Sequence, residues 1–400
     1  MPRLGLGSKM TNSGLITPGI VTDNLVLKHN YSAGSVVPLS DGAASFDGVQ
    51  DYIKIDTSAT DLFTLNTSDF AWAGWIKAET DAASEKIFDA FDGSSNGFFI
   101  FISSSGYVRI RCADVAGSFS SETSLRDGLW HHVAVNFDRS GNATCYFDGV
   151  LDSTTVDISA EVSDSASCTD DITIGINNDE ASEDFKGFLC NIGVWKRLLT
   201  QAEVKSIMWK NYAGLTSSET TNLVSWWNLD APITEDYNLP LGEADDSPST
   251  IDGLVLDNHD TTFTEVSVTN SDFTSGSGTD LTPWDNDEAN KWERSGDTII
   301  SPNGVSLFKQ AVLTNNIAHK VIVRAKNTVP GSTSRLQVYF GGNNHAHYNL
   351  TDDFQEYTFH GYQDNDLYLF LYNPTGAAST NVTIDWVKLY KYDGNVGVLI

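Results

Sequence analysis

Val133, Val135 and Phe137 recur at every second residue, while His132, Ala134 and Asn136 point the other way. That is the period of a strand with one buried face. Arg139-Ser-Gly-Asn142 supplies a turn, and a return strand ends at Asp148-Gly149, so residues 128–149 read as one hairpin. The same alternation sets Val108, Ile110 and Cys112 against Tyr107, Arg109 and Arg111, and it recurs at Ile172, Ile174 and Ile176. Beyond residue 263 it restarts at Val321, Val323 and Ala325, at Leu336, Val338 and Phe340, and at Leu367, Leu369 and Leu371. One segment has helical spacing instead. Thr200-Gln-Ala-Glu203 is a capping box, Val204, Ile207 and Met208 form an apolar stripe, and Gly214 is placed to close the end. The pattern predicts an all-β chain with one short helix.

Several of these segments carry a recognisable signature. Trp130-His-His-Val-Ala134 followed by Tyr146-Phe-Asp-Gly149 resembles the W-x-H-V-A … Y-x-D-G hairpin of laminin-G-like, concanavalin-A-like jelly rolls. Ala44 to Ile55 resembles the family's opening strand, Phe70-Ala-Trp-Ala-Gly-Trp-Ile-Lys77 its next one, and Gly187 to Thr200 the strand that leads into its helix. Asn222-Leu-Val-Ser-Trp-Trp-Asn-Leu-Asp230 is similar to a late strand, and Glu243 to Gly253 to the loop after it. Four of these matches in order over about half the chain are more specific than any one alone. Further on, Asn270-Ser-Asp-Phe273, a Trp at 284 or 292, Phe354 to Phe359 and Thr383 to Leu389 resemble carbohydrate-binding modules of the family 4/9 type, which are also jelly rolls. The expected fold class is all-β: two antiparallel β-sandwich jelly-roll domains preceded by an extended N-terminal arm. The expected boundaries are 1–40 for the arm, 41–262 for the laminin-G-like unit and 263–400 for the module-like unit.

Composition narrows the function classes. A formal charge of −29 argues against nucleic acid, which is bound through clustered Lys and Arg. At 19% charged and 11% aromatic residues the chain is folded rather than an acidic disordered tail. No apolar run approaches the ~20 residues that span a bilayer, so no membrane partner is expected. Met1 to Met10 is basic but lacks a continuous apolar core, so classical secretion is not expected either. Cys112, Cys145, Cys168 and Cys190 then read as buried thiols rather than disulfides.

The sequence carries no zinc-protease, nucleophile-elbow or phosphate-loop motif. Asp179 to Asp184 reads as a solvated acidic loop rather than a glycosidase pair. His131 and His132 belong to the strand signature, and the resemblance assigns them to packing. A structural calcium ion (Ca2+) is the cofactor to expect, because hard cations take clustered carboxylate and carbonyl oxygens. Asp89 and Asp92 are candidate ligands in the first unit. In the second, the resemblance points to Asp272 and Asp385, although the family's Glu is replaced by Thr274. Glycans would stack on exposed rings while neighbouring polar groups bond their hydroxyls. Trp284, Trp292, Tyr348 and Tyr362 are the candidates, with Trp72, Trp75, Trp130 and Trp195 reserved for the core.

Residues 2–28 resemble N-terminal segments of tailed-phage structural proteins that carry laminin-G-like domains, especially marine ones. That resemblance implies a non-enzymatic virion protein, made in the host cytoplasm and acting as capsid decoration or as a tail or fibre component. Its arm would engage other capsid or tail proteins, its jelly rolls would reach host or environmental glycans, and it would form a homo-oligomer in the particle. Two alternatives stand beside it. One is a bacterial surface or secreted lectin-like adhesin, and the other an accessory protein of a polysaccharide-degrading enzyme.

Overall fold

The computed structural model describes residues 42–399 except 56–63, 80–82, 93–94, 120–123, 169, 231–252, 261, 277–278, 287–291, 302–305, 315–316, 333, 341–342, 364–367, 374–381 and 395. The expected arm and most of the loop from Glu243 to Gly253 lie outside the described residues.

The alternating segments pair antiparallel into two sandwiches. In the first, a seven-stranded sheet runs in the order Ala44–Asp47, Lys186–Trp195, Phe70–Ala78, His131–Phe137, Asn142–Phe147 and Val150–Asp157, with Leu223–Trp227 also on Lys186–Trp195. Facing it, an eight-stranded sheet runs Gly253–Leu256, Val396–Leu399, Ile53–Ile55, Ile172–Ile174, Glu85–Phe91, Gly97–Ile102, Val108–Cys112 and Val115–Phe119. Phe70, Trp72 and Phe137 from one sheet meet Phe88, Phe98 and Ile110 from the other in a single core.

The predicted hairpin forms, with Val133 opposite Phe147 and Phe137 opposite Ala143. Its first strand differs from the one-faced pattern, because His131–Phe137 is buried on both sides. The helix Gln201–Ile207 is the cause. It lays Val204 and Ile207, with Leu199, Trp195 and Trp226, over the small residues Ala71, Ala73 and Ala134 on the outer side of the sheet. The capping box is present: Thr200 Oγ1 accepts from Glu203 N at 3.2 Å and Glu203 Oε2 accepts from Thr200 N at 2.8 Å, an arrangement that stabilises a helix start by about 1 kcal/mol. Gly214 closes a following 3₁₀ turn, Tyr212–Gly214, rather than the helix itself. Trp72, Trp75 and Trp195 are core residues as expected, whereas Trp130 is 39% exposed. Cys112, Cys145, Cys168 and Cys190 are free and buried, and burial pushes the Cys168 and Cys190 thiols up to about 12.

In the second sandwich, a six-stranded sheet runs Glu293–Ser295, Thr298–Ile300, Val382–Tyr392, Ile317–Asn327 and Gln355–Gln363, with Phe263–Val266 also on Val382–Tyr392. A five-stranded sheet runs Asp285–Asn286, Ser306–Ala311, Tyr368–Asn373, Arg335–Phe340 and Asn343–Asn349. Val321, Val323, Val387 and Leu389 face Phe308, Val338 and Leu371 in a core of their own.

The expected last unit, 263–400, gives up its final strand. Val396–Leu399 enters the first sandwich between Gly253–Leu256 and Ile53–Ile55, pairing with both. Without it the strand Ile53–Ile55 would be an open edge, which an alternating apolar segment readily fills. The second sandwich is therefore an insertion between two neighbouring strands of the first. At its neck Tyr392 Oη donates to Asp257 O at 2.7 Å and Asp393 N donates to Thr262 O at 3.0 Å.

Candidate functional site

The outer face of the eight-stranded sheet gathers a concentration of cations and rings in this acidic chain. Phe88, Ala90, Phe98, Ile100, Val108, Ile110 and Cys112 point into the core, so Asp89, Phe99, Phe101, Arg109 and Arg111 alternate to the other side. Cross-strand register then sets them in two rows. One is Lys54, Thr173, Asp89, Phe99 and Arg111; the other is Lys86, Phe101 and Arg109. A register shift between Lys86 and Phe88 turns Lys86 outward beside Asp89. The hairpin beneath depends on Gly97, whose φ is +92° and where a Cβ would lie 1.9 Å from Ala90 O.

Each charge on this face has a different degree of compensation. Lys86 Nζ lies 3.0 Å from Asp89 and 3.5 Å from Glu183, and 3.2 Å above the Phe99 ring. Burial raises the Asp89 carboxyl above its usual range, against the pull of Lys86. Lys54 is held by Glu180 at 2.7 Å and Asp171 at 3.2 Å. Arg111 sits 4.4 Å over Phe91, donates to Ala113 O at 2.8 Å and reaches Asp114 at 3.4 Å. Arg109 differs. Its guanidinium stacks 5.1 Å from the Phe101 ring, and its buried Nε has no hydrogen-bond partner among the described residues. An unmet buried donor costs about 1–3 kcal/mol, so Arg109 is the least compensated of the four cations on this face.

The acidic run 179–184 was expected in solvent, but part of it docks on this sheet. Glu180 accepts from Tyr52 Oη at 2.8 Å, Asp184 accepts from Gln50 N at 2.9 Å, and Glu183 O accepts from Lys86 N at 2.8 Å. These carboxylates meet lysines and main-chain donors rather than one another, which is why the loop closes against the sheet.

The four ring candidates in the second sandwich are not an exposed platform. Trp292 is 0% exposed and Trp284 4%; both stack on Phe308, at 5.8 and 4.6 Å between ring centroids. Tyr362 is buried, and Tyr348 packs on Tyr357 and Phe359 while its hydroxyl donates to Thr358 O. Close packing around Phe308, with Phe273 beside it, draws both tryptophans into the core.

The four calcium candidates are likewise spoken for, and they do not converge. Asp89 belongs to Lys86. Asp92 closes a turn with Asn96, accepting from its backbone N at 3.2 Å and its Nδ2 at 2.7 Å. Asp272 accepts from Thr274 N and Oγ1, and Asp385 pairs with Arg324. Among the described residues no three His, Cys, Asp or Glu side chains group as a metal centre requires. The histidines of the hairpin have structural work. His131 bridges Asp148 at 2.9 Å and Asp127 at 3.2 Å, and its hydrogen bond to Asp148 raises its pKa against burial. His132 is buried against Trp75 at 5.4 Å, and burial lowers its pKa to about 3, so it is neutral.

The alternation of Arg109 and Arg111 was legible in the sequence, but their partners were not. Phe99, Phe101 and Lys86 lie on two other strands, and the only sequence signal for the face was two arginines on one side of a strand in a chain of net charge −29.

Comparison with known proteins agrees with the first sandwich. Residues 47–205 match the profile of a laminin-G family described as the concanavalin A-like lectin/glucanases superfamily. No curated protein sequence matches the chain. Among solved structures it is similar to the native heptameric SAP-like pentraxin from Limulus polyphemus, at 20% identity and TM-score 0.34, over 43% of this chain and 84% of that one. It is similar to a putative carbohydrate binding protein from Bacteroides ovatus at 15% identity and TM-score 0.39, over 57% of this chain and 62% of that one. A third likeness is to the IT-sialidase CBM40 of Ruminococcus gnavus, at 16% identity and TM-score 0.34, over 42% and 97%.

Proposed function

We propose that the chain is a non-catalytic glycan-recognition protein whose first sandwich binds sugar on the outer face of its eight-stranded sheet. The observation that carries this is Arg109, stacked on Phe101 with an unmet donor, beside Phe99 and Arg111 on a lectin-type jelly roll. Phe99, the partly exposed ring of the pair, offers apolar surface to a pyranose, and the guanidinium donates to its hydroxyls or acidic groups. Full-length protein on a glycan array is expected to bind a subset of sugars, and Arg109→Ala and Phe99→Ala should each weaken that binding about tenfold or more. Binding unchanged in both variants, or an array that stays blank, contradicts the proposal.

The setting belongs to the same proposal. The likeness of residues 2–28 to tailed-phage virion proteins supports display on a particle, with the arm as attachment segment and the sandwiches directed outward. Mass spectrometry of purified particles should then detect the chain; particles that lack it favour the lectin-like adhesin, which would use the same face.

A further inference from the structure

The six-stranded sheet of the second sandwich has an outer face that the proposed site does not use. Along Ile317–Asn327, Val321, Val323 and Ala325 enter the core, so Lys320, Ile322, Arg324 and Lys326 face outward. On the neighbouring strand Val382–Tyr392, Val387 and Leu389 enter the core, and Trp386, Lys388 and Tyr390 face outward with them. Register places Tyr390 opposite Lys320, Lys388 opposite Ile322 and Trp386 opposite Arg324.

Rings and cations alternate across this face. Lys320 Nζ lies 4.8 Å from the Tyr390 ring and 4.4 Å from Phe263. Lys388 Nζ lies 4.7 Å from Trp386, and Lys326 Nζ lies 4.6 Å from Phe354. Arg324 has a carboxylate, Asp385. The three lysines meet rings only among the described residues, and those contacts hold long side chains in place before any ligand arrives, which lowers the entropy lost on binding.

We infer that this face is a second binding site, and that its ligand is a linear acidic polysaccharide. Two features select a polymer of that kind. The Tyr390–Lys320 and Trp386–Arg324 pairs repeat four residues apart, about 13 Å along the strands, with Phe354 and Lys326 extending the row. A chain of similar units meets such a repeat; a single small ligand does not need it. Charge selects the chemistry. The lysines attract carboxylate or sulfate groups, while Glu265 and Glu356, exposed on the same face, accept from hydroxyls. Nucleic acid carries a comparable charge but few free hydroxyls to donate to Glu265 and Glu356, so those carboxylates favour the polysaccharide.

The test uses the full chain and three variants: Trp386→Ala, Lys388→Gln and the pair Lys320→Gln with Lys388→Gln. Alginate supplies carboxylates, dextran sulfate supplies sulfates, plain dextran is the neutral control and poly(dT) the nucleic-acid control. Expected is binding of alginate or dextran sulfate that weakens with salt, falls about tenfold in Trp386→Ala and in the double lysine variant, and survives Arg109→Ala. The glutamine variants keep the rings, so they decide the matter if Trp386→Ala fails to fold. Equal binding of plain dextran, tighter binding of poly(dT), binding unaffected by these variants, or no binding of either acidic polymer overturns the inference.

Discussion

Removing residues 396–400 is expected to destabilise the first sandwich by about 4 kcal/mol or more, and to lower its melting temperature by roughly 10 °C. The strand Val396–Leu399 is paired on both sides: Gly253 to Leu256 on one, Ile53 to Ile55 on the other. Its loss strips the ladder from two strands at once and leaves Ile53–Ile55, which carries the buried Ile53 and Ile55, as an edge. The second sandwich should survive, because its sheets are complete by Tyr392. Thermal unfolding with two resolved transitions, one lowered and one unchanged, is the expected record. A truncated chain that melts like the intact one would show that the last strand is dispensable to the first sandwich.

Trp292→Ala should cost the second sandwich about 3–5 kcal/mol, the usual range for emptying a buried aromatic site. Trp292 is fully buried on Phe308, with Trp284 stacked on the same ring at 4.6 Å and 8°. Trp386→Ala, on the half-exposed outer face, should change stability by less than about 1 kcal/mol. Denaturant titration of the two variants separates a core ring from a surface ring without any ligand. Equal stability of Trp292→Ala and the parent would remove Trp292 from the core and restore it as a surface candidate.

The contrast between these tryptophans shows what the sequence could and could not tell. Trp284 and Trp292 stand in turn-rich, polar segments, which made them look exposed, yet packing around Phe308 draws both inward. Trp386 lies in an alternating strand and points outward. Periodicity gives two sides to a strand; it does not say which side another sheet or a helix will cover. The same gap explains His131–Phe137, whose outer side is sealed by a helix that starts at Gln201. Local signals fared better: the capping box at Thr200 and the turn at Ser140-Gly141 need only their neighbours in sequence.

Long-range pairing was the least legible. Val396-Gly-Val-Leu399 falls inside the expected second unit, 263–400, and nothing in these residues says that their partners lie in the first sandwich. Asp89 reads as a calcium ligand because clustered loop carboxylates supply such sites, and Asp385 because the resemblance to carbohydrate-binding modules points to it. Lys86 and Arg324 were the missing facts, and each lies on the same face as the acid it neutralises. The candidate binding face was hidden for the same reason, being assembled from residues of three strands that no single stretch of sequence reveals.

A crystal structure of the full chain grown with the oligosaccharide that gives the strongest array signal tests the central claim most directly. A sugar ring lying over Phe99, with a hydroxyl or acidic group within hydrogen-bond distance of the Arg109 guanidinium, is the predicted result. A ligand seated on loops of the first sandwich, with the outer face of the eight-stranded sheet bare, would contradict it.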